Sequence, residues 1–317
     1  MRAVTFGTRS DLHAAARLAA RRGELGPPSP VRATGLRQNR RMLKAWLDRF
    51  ARSEVPIPDT LWDDTVASVP FFARLSAHER LQLRTLAGRF LADKEMAGAG
   101  GLELTAPIEV SIAAQACLPI LNLGLEWYRG WRSIVVYPAQ FLVPRSVTGD
   151  DGVTHEYTEP IAGEAWEGGP LLVSWADAQL ASASDGAAYA VVIHEFTHKL
   201  DLLDGDADGM PPFDPTLHRG LDPARWRATL ELAYDRFVAE LELIEGELPP
   251  TLDPDSEQAD PYYAHLPMDA YAGQDHGEFF AVSSEAFFVN PTRLRVAFPD
   301  WYGLLAAYFR QDPLARP

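Results

Sequence analysis

The spacing of apolar positions changes several times along this chain, and each change marks an element. From about residue 56 the pattern becomes globular. Ser76-Ala77-His78-Glu79 reads as a capping box that opens a helix of apolar and basic residues running to about Lys94, broken by Gly98 to Gly101. Ile108, Ile112 and Ala116 recur at helical spacing and predict a buried helix from Pro107 to about Leu123. The period then shortens. Ser133 to Tyr137 and Gln140 to Val143 read as strands around Pro138, followed by a Gly/Asp turn at Gly149 to Gly152. Gly169 to Trp175 is a further extended piece.

Ala187 to Ile193 leads as an apolar helix, with Asp185-Gly186 as its start, into His194-Glu195-Phe196-Thr197-His198. An amphipathic helix follows over residues 222–245 and stops at about Gly246, before a Pro/Asp-rich loop from Pro249 to Pro261. Two more helices, His276 to Val289 and Arg295 to Phe309, complete the pattern. The expectation is an α+β fold, mostly helical, with a small mixed sheet beside the motif helix and one sheet edge able to hold an extended peptide.

Composition sharpens this in three ways. The net charge of -15 is uneven: residues 1–50 carry 11 Lys/Arg against 3 Asp/Glu, leaving 18 against 41 in the rest. The reading is therefore a basic, flexible extension over residues 1–50, with Gly26-Pro27-Pro28-Ser29-Pro30 and an Arg cluster at Arg37, Arg40 and Arg41. A single acidic domain follows over 51–317, divided into an N-terminal helical and sheet part (51–180) and a helical part with the motif (181–317). So acidic a body argues against direct nucleic-acid binding. Cys117 is the only cysteine, so no intrachain disulfide can form, and its apolar neighbours make it a small core residue. That usage, with no apolar run near the roughly 20 residues that span a bilayer and no signal-peptide core, points to the cytoplasm.

The chemistry lies in residues 194–198. On a helix, His194 and His198 sit one turn apart on one face and can grip one metal ion, with Glu195 beside it as the base for a bound water. The bland alternative is a pair of satisfied core histidines. A catalytic zinc site needs a third protein ligand and a position left for water. Asp204, six residues past His198, is sterically awkward because Asp201 stands between them where a Gly would let the chain turn back. The better source is the later helix, where Glu278 and Glu285 are seven residues apart and share a face among Phe279, Phe280, Val282, Phe287 and Phe288. One can bind metal while the other orients a histidine or anchors nearby backbone, and spacing does not rank them. Asp204-Gly205-Asp206-Ala207-Asp208-Gly209 has calcium-loop spacing but Pro215 at its twelfth position, so it reads as a turn.

Longer stretches carry a resemblance. Gly101 to Thr105, Ile112 to Cys117, Val136-Tyr137-Pro138, Leu172 to Asp177, His194 to Asp201, Gly209 to Pro212, Tyr271-Ala272, Glu278 to Phe288 and Phe309 to Pro313 occur in order over roughly residues 60–313. In these the chain resembles the Mlc titration factor A (MtfA) family of zinc-dependent peptidases. The resemblance implies a zincin-like, gluzincin-type core. It implies zinc held by His194, His198 and Glu278, Glu195 as catalytic base, and Tyr271 near the metal as a transition-state hydrogen-bond donor. Glu285 becomes a supporting residue. It further implies aminopeptidase action on short peptides and, for some members, binding of the glucose-responsive repressor Mlc. The leader before residue 50 and the long stretch between His198 and Tyr271 depart from the family pattern. An aminopeptidase must also receive a free ammonium, for which Glu103, Asp177 and Glu285 are the candidates.

Overall fold

A computed structural model describes residues 53–148, 154–161, 163–165, 169–181, 188–254, 256 and 258–315; for 142–148 and 154–161 it describes the backbone alone. The expected extension over residues 1–50, the Gly149 to Gly152 turn and the Asp185-Gly186 helix start lie outside the described residues.

The elements run α1 (Asp59–Ser68), α2 (Ala77–Asp93), β1 (Glu95–Gly98), α3 (Ala106–Cys117), β2 (Ser133–Tyr137), β3 (Phe141–Thr148), β4 (Thr154–Ile161), β5 (Gly163–Ala165), β6 (Leu171–Ser174) and α4 (Trp175–Gln179). They continue with α5 (Val191–Asp201), α6 (Pro223–Glu247), α7 (Asp260–Tyr263), α8 (His276–Val289), α9 (Pro291–Ala297) and α10 (Pro299–Phe309). The result is an α+β, zincin-like fold. α2 begins as its sequence dictates: Ser76 Oγ accepts the Glu79 N–H while Glu79 Oε2 accepts the Ser76 N–H at 2.8 Å.

Four strands form one sheet in the order β1-β2-β6-β5, with β5 alone antiparallel. The register pairs Ile134 with Leu171 and Val136 with Val173, so these four fully buried side chains share one face. The motif helix α5 packs beneath β6 and β5, and α8 packs against α5. A separate ribbon pairs β3 with β4 from Phe141↔Ile161 to Thr148↔Thr154. One hydrophobic core draws on residues from Ile57 to Phe309, including all of α5's apolar side chains.

Four boundaries differ from the sequence expectation, each for a local reason. The helix expected to reach Leu123 stops at Cys117, because Pro119 offers no N–H to the carbonyl of Gln115; Leu118 donates to it instead at 3.2 Å. The helix expected over 295–309 is two, since Pro299 forces Phe298 to an extended φ of -131° and ψ of 68°. The motif helix starts at Val191, after a non-helical entry in which Ala188 and Ala190 are buried and Tyr189 is half-buried. The strand read at Gln140 to Val143 extends to Thr148 and has β4 as partner.

Candidate metal centre

Every residue of α5 is buried, including its five ionisable side chains His194, Glu195, His198, Lys199 and Asp201. Burying so many polar groups on a single helix is costly unless each has a partner. Lys199 Nζ donates to Gly169 O at 3.0 Å and lies 4.6 Å from the centre of the Trp131 ring, and burial pulls its pKa down to about 8. Asp201 Oδ2 accepts the Gly209 N–H at 2.8 Å, and Trp226 Nε1 donates to Gly209 O at 2.8 Å. Asp201 therefore serves the 204–209 turn, away from the two histidines. Gly205 (φ 103°) and Gly209 (φ 76°) supply the left-handed positions of that turn.

The second helix is oriented by aromatic packing. Phe279 and Phe280 both meet Trp301, Phe280 also meets Trp226, and Trp301 Nε1 donates to Ser283 Oγ at 2.8 Å. With those side chains fixed on one side, Glu278 and Glu285 face α5, and both are 4% exposed. Asp275 caps the helix by accepting the Glu278 N–H at 2.9 Å. The spacing Asp275-x-x-Glu278 is a capping signal that the sequence reading passed over. Glu278 does not return to its own cap; its carboxylate turns to the imidazoles.

There the distances are short. His194 Nε2 and His198 Nε2 lie 3.1 Å apart, and Glu278 Oε2 lies 3.2 Å from the first and 3.3 Å from the second. A tetrahedral zinc with bonds of about 2.0–2.1 Å places its ligand atoms about 3.3 Å apart, so the triangle fits such an ion. Glu278 Oε2 is buried and makes no hydrogen bond of proper geometry, as expected of an oxygen shaped for a cation. Among the described residues, these three are the group of His, Cys, Asp and Glu able to hold a metal. Asp204 and the other aspartates of its turn do not converge in this way.

Glu285 lies behind the triangle. His194 Nδ1–H donates to Glu285 Oε1 at 2.8 Å, a pairing that turns Nε2 towards Glu278 and His198. Its other oxygen accepts the Ala190 N–H at the start of α5. The two roles the sequence left open for this pair are thus divided: Glu278 joins the histidines, and Glu285 both orients one and anchors adjacent backbone. Tyr271 is buried in the helical turn Ala270–Gly273, which Asp269 caps, and its ring centre lies 6.1 Å from that of His194.

The charges are strongly coupled. Burial pushes Glu195 well above the usual carboxylate range, against the pull of His194. Burial alone would lower His194, but Glu278 and Glu285 outweigh it and raise it well above the ordinary histidine value. Glu278 goes the other way: burial would raise it, and the imidazoles of His198 and His194 hold it below the carboxylate range.

The candidates for an ammonium site fare less well. Asp177 is engaged with Ser174 Oγ and accepts Tyr189 Oη–H at 3.0 Å. Glu285 is committed to His194 and Ala190. Glu103 is exposed in the loop that follows β1. The sequence reading also missed β5 itself, whose backbone at Gly163 lies directly against the Glu195 side chain.

The sequence model of the glucose-regulated metallo-peptidase M90 family matches residues 43–310. Mlc titration factor A of Salmonella arizonae is 35% identical over 258 residues, covering 81% of this chain and 93% of that protein. Its counterpart in Klebsiella pneumoniae is 34% identical over 269 residues, 85% of this chain and 91% of that protein. With the family's sequence model covering most of the chain, and relatives of this similarity along nearly their whole length, the chain belongs to the glucose-regulated metallo-peptidase M90 family.

Proposed function

We propose that this metallopeptidase is zinc-dependent, with His194, His198 and Glu278 as ligands, and that it hydrolyses peptide bonds in the cytoplasm as an aminopeptidase on short peptides. The observation that carries the reading is the triangle of 3.1, 3.2 and 3.3 Å between the two imidazole nitrogens and the Glu278 oxygen. Bound zinc supplies a Lewis acid that polarises the scissile carbonyl and brings the pKa of water towards about 7.

The chain's own groups do the rest. Glu195, adjacent to His194 and raised by burial, takes a proton from the attacking water and passes it to the leaving amine. The Tyr271 hydroxyl donates to the oxygen that becomes negative in the transition state. Glu285 keeps His194 in the tautomer that offers Nε2 to the metal. The antiparallel edge strand β5, beside Glu195, is the sheet edge on which an extended peptide would lie. The preference for a free N-terminus rests on the family resemblance; Asp177 and Glu285 are already committed to other partners.

The decisive variant is Glu195→Gln. It is expected to bind zinc as the wild type does and to lower kcat on amino-acid and dipeptide chromogenic amides by about 10²–10⁴-fold. Peptide turnover at the wild-type rate in the zinc-loaded variant would refute the role of Glu195.

The name Mlc titration factor A, borne by the relatives, favours a second reading in which this chain sequesters a transcriptional repressor of the Mlc type. Chelation separates the two. Repressor binding that survives metal removal, with no hydrolysis across a peptide panel, supports sequestration.

A further inference from the structure

Glu195 lies under the edge strand with no room to spare. An ideal Cβ on Gly163 would stand 2.3 Å from Glu195 Oε1 and 2.6 Å from both its Cδ and Cγ. Real Cβ atoms do not approach other atoms so closely, so any side chain at 163 must displace something. The backbone of Gly163 is held by its pairing with Val173 in the β5–β6 ladder, and that of Glu195 by the middle of α5. The glycine is not there for its conformation, because it is absent from the positive-φ positions and an alanine could adopt its backbone. What must move is the Glu195 carboxylate, whose Oε2 is buried and makes no hydrogen bond that would hold it in place.

We propose that Gly163 is a positioning residue for the catalytic base: its missing side chain is the space in which the Glu195 carboxylate lies flat against β5. This rests on the reading of Glu195 as the base. Because the obstructed atoms are the Cγ, Cδ and Oε1 of a side chain and not backbone, replacing Gly163 is mild for the fold and severe for the chemistry. A base displaced by about 1 Å loses on the order of 10²-fold in rate.

The test is a pair of double-mutant cycles on the zinc-loaded protein. Gly163→Ala is expected to keep wild-type zinc stoichiometry, lower kcat by about 10²-fold and leave KM within about threefold. In a Glu195→Ala background, which lacks the Cγ, Cδ and Oε1 that would meet the added methyl, the same change is expected to cost no more than about twofold of the residual rate. Thermal stability gives a readout independent of turnover: any drop in Tm caused by Gly163→Ala is expected to vanish when Glu195 is alanine. Wild-type kcat in Gly163→Ala, or an equal loss in both backgrounds, overturns the proposal, as does a Tm drop that persists without the Glu195 side chain. A wild-type protein that binds zinc yet hydrolyses no peptide refutes the base reading instead, leaving the Tm cycle to decide whether Gly163 fixes Glu195.

Discussion

The first and third turns of α8 each present one glutamate to the same neighbouring helix. Glu278 and Glu285 are equally buried at 4% exposure and both approach His194. They differ in what their oxygens have. Each oxygen of Glu285 has a proton donor, the ring N–H of His194 and the backbone N–H of Ala190. Glu278 aims Oε2 at two nitrogens and forms no properly shaped hydrogen bond there. At equal burial, the difference in hydrogen bonding and the nearness of Oε2 to both imidazoles are what favour Glu278 as the proposed ligand and Glu285 as its support.

Breaking the first turn has the largest expected effect. Glu278→Ala removes one of the three proposed ligands, and zinc affinity is expected to fall well beyond the tenfold to hundredfold typical of outer-shell changes; a titration with a competing chelator measures it. Next comes Tyr271→Phe, which leaves metal binding intact and is expected to lower kcat by about 10²–10³-fold, as for loss of one oxyanion donor. Glu285→Gln is milder. Its affinity loss should stay within about 10–100-fold, because an amide oxygen still accepts one of the two N–H groups. A loss as large as that of Glu278→Ala would erase the contrast between the two turns.

The smallest effect concerns protons. His194 is raised above its ordinary value because Glu278 and Glu285 outweigh its burial. Zinc bound as proposed would displace that proton, so apparent affinity is expected to strengthen with rising pH by at most about tenfold per unit. A group whose folded pKa is raised contributes stability that is complete below the unfolded value, about 6.5 for histidine, and lost as pH rises through the folded one. Chelator-treated protein is therefore expected to lose Tm as pH rises above about 6.5, and zinc-loaded protein to lose less.

How far the sequence foretold all this depends on the reach of the signal. His194 and His198 were legible because helical spacing is local, and the boundaries of α8 matched their expectation at both ends. Choosing between Glu278 and Glu285 was not, since a seven-residue spacing gives both the same face and only the packing of Phe279, Phe280 and Trp301 sets the helix rotation. β1 and β5 escaped for another reason. Glu95-Met96-Ala97-Gly98 and Gly163-Glu164-Ala165 are too short and too weakly alternating to read as strands, and exist through pairing with β2 and β6. The entry to α5 misled because Ala188 to Ala190 is apolar for burial and not for helix, its N–H being taken by Glu285 from 95 residues away.

The most direct measurement is the coordination of zinc in the loaded protein, by anomalous diffraction at the zinc edge. The account predicts one ion held by His194 Nε2, His198 Nε2 and a Glu278 oxygen, with Glu285 on His194 Nδ1 and a fourth position open beside Glu195. An ion bound without Glu278, or bound by Glu285 in its place, would contradict it.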